Sequence, residues 1–289
     1  MATKKFGLIG KPIGHSLSPA LFNAAYAGRY TYGLIEEPGF NESMFRFKAE
    51  YDGINITSPY KRMAAEEADI SDDTVKRIGA ANILVKTPEG LLRAYNSDYS
   101  GLKMVLGDHF EIEDDSSVQK NIRALVIGCG GAGMAAACAS SDLGMETVIV
   151  NRTQAAVDRF VARPGNEKII GGKMRDLENL MYESQLIIYT IPVVMEELSR
   201  LPKRFYTGKS ILEANYRNPS FSREYRGMSI GKEGIRFKND FIGIPQRCYY
   251  LSGEIWLIAQ AITGFRMLTG EDPDEAAMLN YISENKKIM

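Results

Sequence analysis

The stretch 128–133 has the composition of a loop that holds a pyrophosphate. It lies between two apolar runs, 124–127 and 147–150, and an Ala- and Met-rich segment with helical spacing follows it. A strand, a glycine turn, a helix and a second strand in about 30 residues are typical of a dinucleotide-binding unit. The glycines allow close backbone approach, and the helix N-terminus offers N–H groups to the anion. The expected contacts are Gly128, Gly130, Gly131, Ala132 and Gly133. The alternative is a glycine-rich turn of another α/β fold.

The end of the second apolar run indicates which dinucleotide binds. An NAD-specific unit has an acidic residue about 20 residues after the glycines, where it accepts from the ribose 2′-hydroxyl. This chain has Asn151, Arg152 and Thr153 there. A guanidinium cannot accept from a hydroxyl but suits a 2′-phosphate, and Thr153 adds a hydroxyl donor. The pattern favours NADP, unless Arg152 is only an exposed surface charge.

Lys61 and Asp98 are candidates for acid–base chemistry. Lys61 follows Ser58-Pro59 and falls in the first turn of a predicted helix, an unfavourable position for a cation in the helix dipole. Asp98 follows a predicted strand and precedes a helix that begins near Tyr99. The structural alternatives are an exposed lysine beside Arg62 and a carboxylate that caps the helix.

Three polar residues occupy positions from which they could contact a ligand. Ser16 and Ser18 follow the first predicted strand, and Ser18 is the expected N-cap of a helix that has Pro19 at its first position. Gln260 lies in an apolar helical stretch near the C-terminus. Its amide either faces solvent or reaches a ligand.

Length and composition are those of an ordinary globular protein with two domains. The chain has 289 residues, a formal net charge of −1 and 45% hydrophobic residues. This charge gives no case for nucleic-acid or membrane binding. The three cysteines have no metal-ligand spacing, so no metal site is expected. No signal peptide or transmembrane helix is predicted, and we expect a cytoplasmic protein.

The predicted elements alternate between strands and helices in both halves of the chain. In the first half we predict a helix at 44–51 and a loop that begins at Arg77. His109 is expected at the surface, near the end of its helix. In the second half, a doubly wound sheet is predicted to end with a strand at 235–237.

Seven motifs together resemble the shikimate dehydrogenase family and its quinate/shikimate relatives. In chain order they are GKPIGHSLSP, INITSPYK, GAANILV, NSDYSGL, GCGGAG, NRT and GEIWLIAQAITGF. The resemblance implies an α/β protein of two domains, an N-terminal open α/β substrate domain and a Rossmann dinucleotide-binding domain, with C-terminal helices returning to the first. We expect the substrate domain at 1–100 and 253–289 and the Rossmann domain at 101–252.

The resemblance also implies an activity and a set of site residues. The family reduces 3-dehydroshikimate to shikimate with NADPH, in the biosynthesis of chorismate and aromatic amino acids. Lys61 and Asp98 match its catalytic pair, and Gly253 matches a glycine beside the nicotinamide. The positions matching substrate contacts are Ser16, Ser18, Thr57, Asn82, Tyr216 and Gln260.

Two departures from the family pattern concern the cofactor. The basic residue that usually follows Asn-Arg-Thr is replaced by residues 154–156, Gln-Ala-Ala, and Tyr189-Thr190-Ile191-Pro192 replaces a usual Asn-Ala-Thr turn. The alternatives are therefore a quinate/shikimate dehydrogenase with relaxed NAD/NADP use and a non-catalytic relative that binds shikimate or NADPH. A folate-linked dehydrogenase is less compatible with the HSLSP and NSD motifs. The expected assembly is a monomer or homodimer.

Overall fold

The chain forms two compact units. A computed structural model describes residues 4–112, 122–195, 208–216, 220 and 249–285. One unit comprises residues 1–101 and 258–289, and the other comprises residues 102–257. Each has a six-stranded sheet among the described residues. The predicted α/β class with two units is confirmed, whereas the assignment of substrate and cofactor binding to these parts remains a prediction.

The first unit contains a mixed sheet with the order β2-β1-β3-β5-β6-β4. Its strands are β1 (Lys5–Ile9), β2 (Thr31–Ile35), β3 (Gly53–Ile56), β4 (Ile70–Ser71), β5 (Ile83–Lys86) and β6 (Leu92–Tyr95). Strand β1 is parallel to β2 and β3, and β5 is antiparallel to both β3 and β6. Strands β1, β3 and β6 therefore run in one direction, and the segments that follow them leave the sheet at the same edge.

The second unit contains an all-parallel sheet with the order β12-β11-β10-β7-β8-β9. Its strands are β7 (Arg123–Ile127), β8 (Glu146–Val150), β9 (Ile169–Gly171), β10 (Leu186–Tyr189), β11 (Ser210–Glu213) and β12 (Tyr249–Ser252). The strand order reverses beside β7, the arrangement that places a ligand at the carboxyl ends of the strands. Strands covered on both faces need nearly continuous apolar runs, as in the fully buried β10.

The helices begin and end close to the predicted positions in most of the chain. They are α1 (Ser18–Tyr26), α2 (Phe40–Glu50), α3 (Lys61–Glu67), α4 (Asp73–Ile78), α5 (Ser97–His109), α6 (Gly131–Asp142), α7 (Gln154–Val161), α8 (Leu177–Glu183), α9 (Gly253–Thr269) and α10 (Glu275–Glu284). The chain passes between the two units within α5 and within α9.

The structure corrects three local predictions and adds two strands. The helix predicted at 44–51 begins earlier, because Phe40 already packs in the core. Helix α4 precedes the predicted loop and is capped by Asp72, whose Oδ1 accepts from the Val75 amide at 2.7 Å. Leu17 is the N-cap of α1, so the prediction for Ser18 was wrong. Strands β4 and β12 were not predicted, and the strand predicted at 235–237 lies outside the described residues.

His109 is half-buried, whereas a surface position was predicted. Its Nε2 lies 2.8 Å from the Ser210 hydroxyl, and its ring packs edge-on against Phe110 and Tyr249. Burial lowers the pKa of the imidazole to about 4. The apolar spacing of α5 gave no sign of this environment, because the covering residues come from β11 and β12.

Candidate active site

Lys61 and Asp98 form an ion pair in the first unit. Lys61 Nζ donates to Asp98 Oδ2 at 2.5 Å. The Lys61 side chain is 20% exposed, and the Asp98 side chain is 11% exposed. Lys61 begins α3, and its carbonyl accepts from the Ala81 amide at 2.8 Å. A charge-assisted bond of this length fixes the ammonium group. The remaining exposure of Lys61 leaves the pair accessible to a reactant.

The direction of the strands explains why these two residues meet. Lys61 follows β3, and Asp98 follows β6, which is parallel to it. Asn82 precedes the antiparallel strand β5 and therefore reaches the same edge. Its carbonyl accepts from the Ile56 amide at 2.7 Å. Residues 37 positions apart in the chain are thus adjacent in the fold.

Asp98 does not cap α5, although this was the structural alternative. The cap is Asn96, whose Oδ1 accepts from the Tyr99 amide at 3.1 Å. The Asn96 amide also donates to the Ala80 carbonyl at 2.8 Å. The Asp98 carboxylate is therefore available for Lys61.

Asn82 and Gln260 belong to a hydrogen-bond network next to this pair. Asn82 donates to the Ser97 hydroxyl at 3.0 Å and accepts from the Ser97 amide at 2.7 Å. The Ser97 hydroxyl donates to Gln260 Oε1 at 3.3 Å. Helices α5 and α9 approach closely here, because a Cβ on Gly101 would lie 2.4 Å from the Gln260 nitrogen. Ser97 was not predicted as a site residue, although it lies within the NSD motif.

A second polar network holds Ser16 and Ser18. The Ser16 hydroxyl accepts from the Ser18 amide and lies 3.2 Å from the Ser18 hydroxyl. The Tyr32 hydroxyl donates to Asn55 Oδ1 at 2.8 Å. Burial raises the pKa of the Tyr32 phenol far above its usual range, and a hydrogen bond with the Ser18 side chain offsets part of this effect. Tyr32 therefore links Ser18 on α1 to Asn55 on β3.

The remaining predicted substrate residues lie in different units. Thr57 is half-buried just after β3, and its amide donates to the Ile9 carbonyl at 2.8 Å. Tyr216 is half-buried in the second unit, three residues after β11. Its predicted contact with substrate stays a prediction.

The glycine turn fits a dinucleotide pyrophosphate. Gly128 has a φ of +112°, and its amide donates to the Val150 carbonyl at 2.9 Å. A Cβ on Gly133 would lie 2.0 Å from the Gly128 carbonyl oxygen, so the turn requires glycine there. A Cβ on Gly130 would meet nothing within 4 Å. The turn is therefore tight inside and open outside, as a backbone cradle for an anion must be.

The N-terminus of α6 has the electrostatic character that this cradle needs. Gly130 is its N-cap without a side-chain cap, and its first turn has no acidic residue. Gly131 and Ala132 are half-buried there. Uncapped N–H groups and the positive end of the helix dipole favour a phosphate.

The residues after β8 extend this surface. Asn151 Oδ1 accepts from the Cys129 amide at 3.3 Å, and the Asn151 amide donates to the Thr153 carbonyl at 3.3 Å. Asn151 thus ties the glycine turn to the start of α7. Arg152 is exposed and has no hydrogen bond or ion pair with any residue that the structure describes. Its guanidinium is available for an anion.

Gly253 begins α9 where the helix meets the end of β11. A Cβ there would lie 2.4 Å from the Ala214 carbonyl oxygen and 2.6 Å from that of Glu213. The backbone contact alone therefore requires glycine, and a nicotinamide contact by Gly253 stays a prediction.

Within the described ranges, no group of three His, Cys, Asp or Glu residues is arranged to hold a metal ion. The helices found in the same ranges are too short or too polar to cross a membrane.

Comparison with known proteins gives consistent matches over nearly the whole chain. Residues 8–84 match the family described as shikimate dehydrogenase substrate binding domain. Shikimate dehydrogenase (NADP(+)) of Halobacterium salinarum is 34% identical, over 94% of this chain and 96% of that protein.

Solved structures of similar fold cover both units. Shikimate dehydrogenase of Mycobacterium tuberculosis is 25% identical, with a TM-score of 0.75 over 97% of this chain and 99% of that one. Shikimate 5-dehydrogenase of Thermus thermophilus, in complex with NADP(H) and shikimate, is 24% identical, with a TM-score of 0.74 over 98% and 99%.

Proposed function

The chain belongs to the shikimate dehydrogenase family, and we propose that it catalyses the reversible NADP-dependent reduction of 3-dehydroshikimate to shikimate. The observation that carries this proposal is the Lys61–Asp98 pair, 2.5 Å apart, at an edge that also presents hydroxyl and amide groups. A carboxylated polyol needs such groups. A ketone that is reduced to an alcohol needs a proton donor.

Lys61 moves the proton in the proposed mechanism. When bound, NADPH supplies the hydride that reduces the ketone carbon. The Lys61 ammonium donates a proton to the ketone oxygen, which becomes the hydroxyl, and the neutral amine then regains a proton from solvent. In the oxidative direction, the amine accepts the hydroxyl proton. General acid–base catalysis of this kind contributes about 10²–10⁴-fold to the rate.

Asp98 orients Lys61 and accepts from a second substrate hydroxyl. Its Oδ2 holds the ammonium, and in the proposed complex the carboxylate would also accept from the substrate hydroxyl. Asn82 and Gln260 are held by Ser97 and would bind the hydroxyls of the ring. The substrate carboxylate would bind Ser16 and Ser18, with Thr57 and Tyr216 as further contacts by similarity to the family.

The glycine turn and the segment after β8 would hold NADP. Gly128, Gly130, Gly131, Ala132 and Gly133 would surround the pyrophosphate. Arg152 would pair with the 2′-phosphate, Asn151 would keep the turn in place, and Thr153 would add a hydroxyl. Gly253 would lie beside the nicotinamide.

A direct assay of purified protein tests this function. Absorbance of the reduced nicotinamide is followed with shikimate and with quinate, each paired with NADP and with NAD. We expect the highest kcat/KM for shikimate with NADP. A higher value for quinate or NAD would support the relaxed quinate/shikimate alternative. Absence of turnover in all four combinations, with shikimate binding retained, would support the non-catalytic alternative.

A further inference from the structure

The segment directly after Arg152 supplies no second cation for a 2′-phosphate. Residues 154–156, which follow Asn151-Arg152-Thr153, are Gln-Ala-Ala. A 2′-phosphate carries nearly two negative charges near neutral pH. Arg152 alone would leave part of this charge without a partner, so a second cation from elsewhere in the fold would improve the site.

The register of β8 and β9 places a lysine at the corresponding point. The two strands are parallel, with Ile149 opposite Gly171, and the Gly172 amide donates to the Ile149 carbonyl at 2.9 Å. The next residue, Lys173, continues in extended conformation, with φ −114° and ψ 138°. Lys173 therefore leaves β9 at the edge where Arg152 leaves β8.

Side-chain alternation puts Lys173 on the face that α7 covers. A Cβ on Gly171 would lie 3.1 Å from Val157 Cγ1 of α7, whereas one on Gly172 would lie 2.8 Å from Val150 Cγ1 on the opposite face. Lys173 returns to the α7 face because successive side chains of a strand alternate.

The distance along the sheet matches the start of α7. Two strand residues beyond Gly171 advance by about 6.6 Å. Four helix residues from Val157 back to Thr153 span about 6 Å. Lys173 is therefore level with Thr153, the N-cap of α7, whose side chain makes no cap hydrogen bond.

The charge of Lys173 is available for a ligand. The residue is exposed, and its carbonyl accepts from the Asp176 amide at 3.0 Å. Its ammonium group has no ion pair or hydrogen bond to any part of the chain that the structure describes. The nearest basic residue along the chain, Arg175, already lies 3.9 Å from the Asp176 carboxylate. We propose that Lys173 is a second cationic contact for the adenosine 2′-phosphate and, with Arg152, determines the preference for NADP over NAD. This inference rests on the proposed function.

Binding of adenosine 2′,5′-bisphosphate and of 5′-AMP tests the inference without turnover. Both ligands are titrated by calorimetry into the wild type, Lys173→Ala and Lys168→Ala. Lys168 is the matched control because it is exposed and precedes the same strand, at the opposite edge of the sheet. We expect Lys173→Ala to weaken the bisphosphate by about tenfold, the effect of one charge-assisted contact, and to leave 5′-AMP within about twofold. Lys168→Ala should change neither.

The outcomes separate this inference from the proposed function. An unchanged bisphosphate affinity in Lys173→Ala would overturn the inference, and so would an equal loss for both ligands. If Lys173 proves unimportant but the wild type oxidises shikimate with NADP, the proposed function still stands. A wild type that binds neither ligand contradicts both. Lys173→Glu provides a second variant, in which the bisphosphate must bind more weakly than to Lys173→Ala.

Discussion

Replacement of Lys61 by Ala should remove most of kcat while NADPH binding is retained. The lysine is the proposed proton donor, and general acid–base catalysis is worth about 10²–10⁴-fold, which corresponds to about 3–5 kcal/mol of activation free energy. The Lys61 side chain is 20% exposed, so water has restricted access to replace it. With Asp98 intact, we expect the loss of kcat to lie in the upper part of this range.

The assay separates the loss of chemistry from the loss of binding. Steady-state kinetics give kcat and KM for shikimate, and nicotinamide fluorescence gives the Kd for NADPH. Lys76→Ala is the control, because Lys76 also pairs with an aspartate, Asp73, at 3.2 Å, but with 65% and 95% exposure. That pair should contribute at most about 1 kcal/mol to stability and nothing to turnover. Near-normal kcat in Lys61→Ala would refute the proposed role, as would an equal loss in Lys76→Ala.

Three further predictions follow from the described contacts. Tyr32→Phe should raise KM for shikimate by about three- to tenfold with little change in kcat, because it frees Ser18; an identical effect from the control Tyr26→Phe, which instead loses bonds to Thr269 and Glu271, would contradict this. Gly130→Ala should fold normally but bind NADP more weakly, whereas Gly133→Ala should lose both stability and binding. Thermal unfolding measures the stability of each variant, and calorimetry measures NADP binding. Normal NADP binding by both variants would contradict the proposed role of the glycine turn. The pKa of His109 is lowered to about 4, below the unfolded value of 6.5, so stability is full above pH 6.5 and falls as the pH drops towards 4. Between pH 7 and pH 5, protonation of His109 in the unfolded state lowers the free energy of unfolding by about 2 kcal/mol, which urea unfolding measures. A His109→Gln variant with the same pH dependence would exclude His109 as the cause.

The sequence predicts five of the six described strands of the second unit, because these parallel strands are short apolar runs bounded by turns. The apolar runs at 186–189 and 124–127 can be recognised as strands from their own residues alone. Helix α4 was missed because six residues give too little periodicity, and its signal is the cap at Asp72. The burial of His109 was missed because Ser210 and Tyr249 lie more than 100 residues away.

The candidate site shows the same division between local and long-range information. Lys61 and Asp98 are each ambiguous in the sequence, because a helix start can explain either residue. Their pairing depends on β3 and β6 running in the same direction through an intervening antiparallel strand. Ser97 was overlooked for the same reason, since its partners Asn82 and Gln260 come from distant segments.

The proposed cofactor preference also depends on residues that are distant in the sequence. In a parallel sheet, residues that leave neighbouring strands at the same edge are separated in sequence by a whole helix and strand, here the 21 positions from Arg152 to Lys173. A search for a second cation limited to the residues directly after Arg152 finds Gln-Ala-Ala and predicts a weak preference for NADP. The register instead offers a lysine level with Thr153, on the side of the sheet that α7 covers. The phosphate site must therefore be judged from the edge of the sheet, because a bound anion interacts with every charge that this edge presents and not with one loop alone.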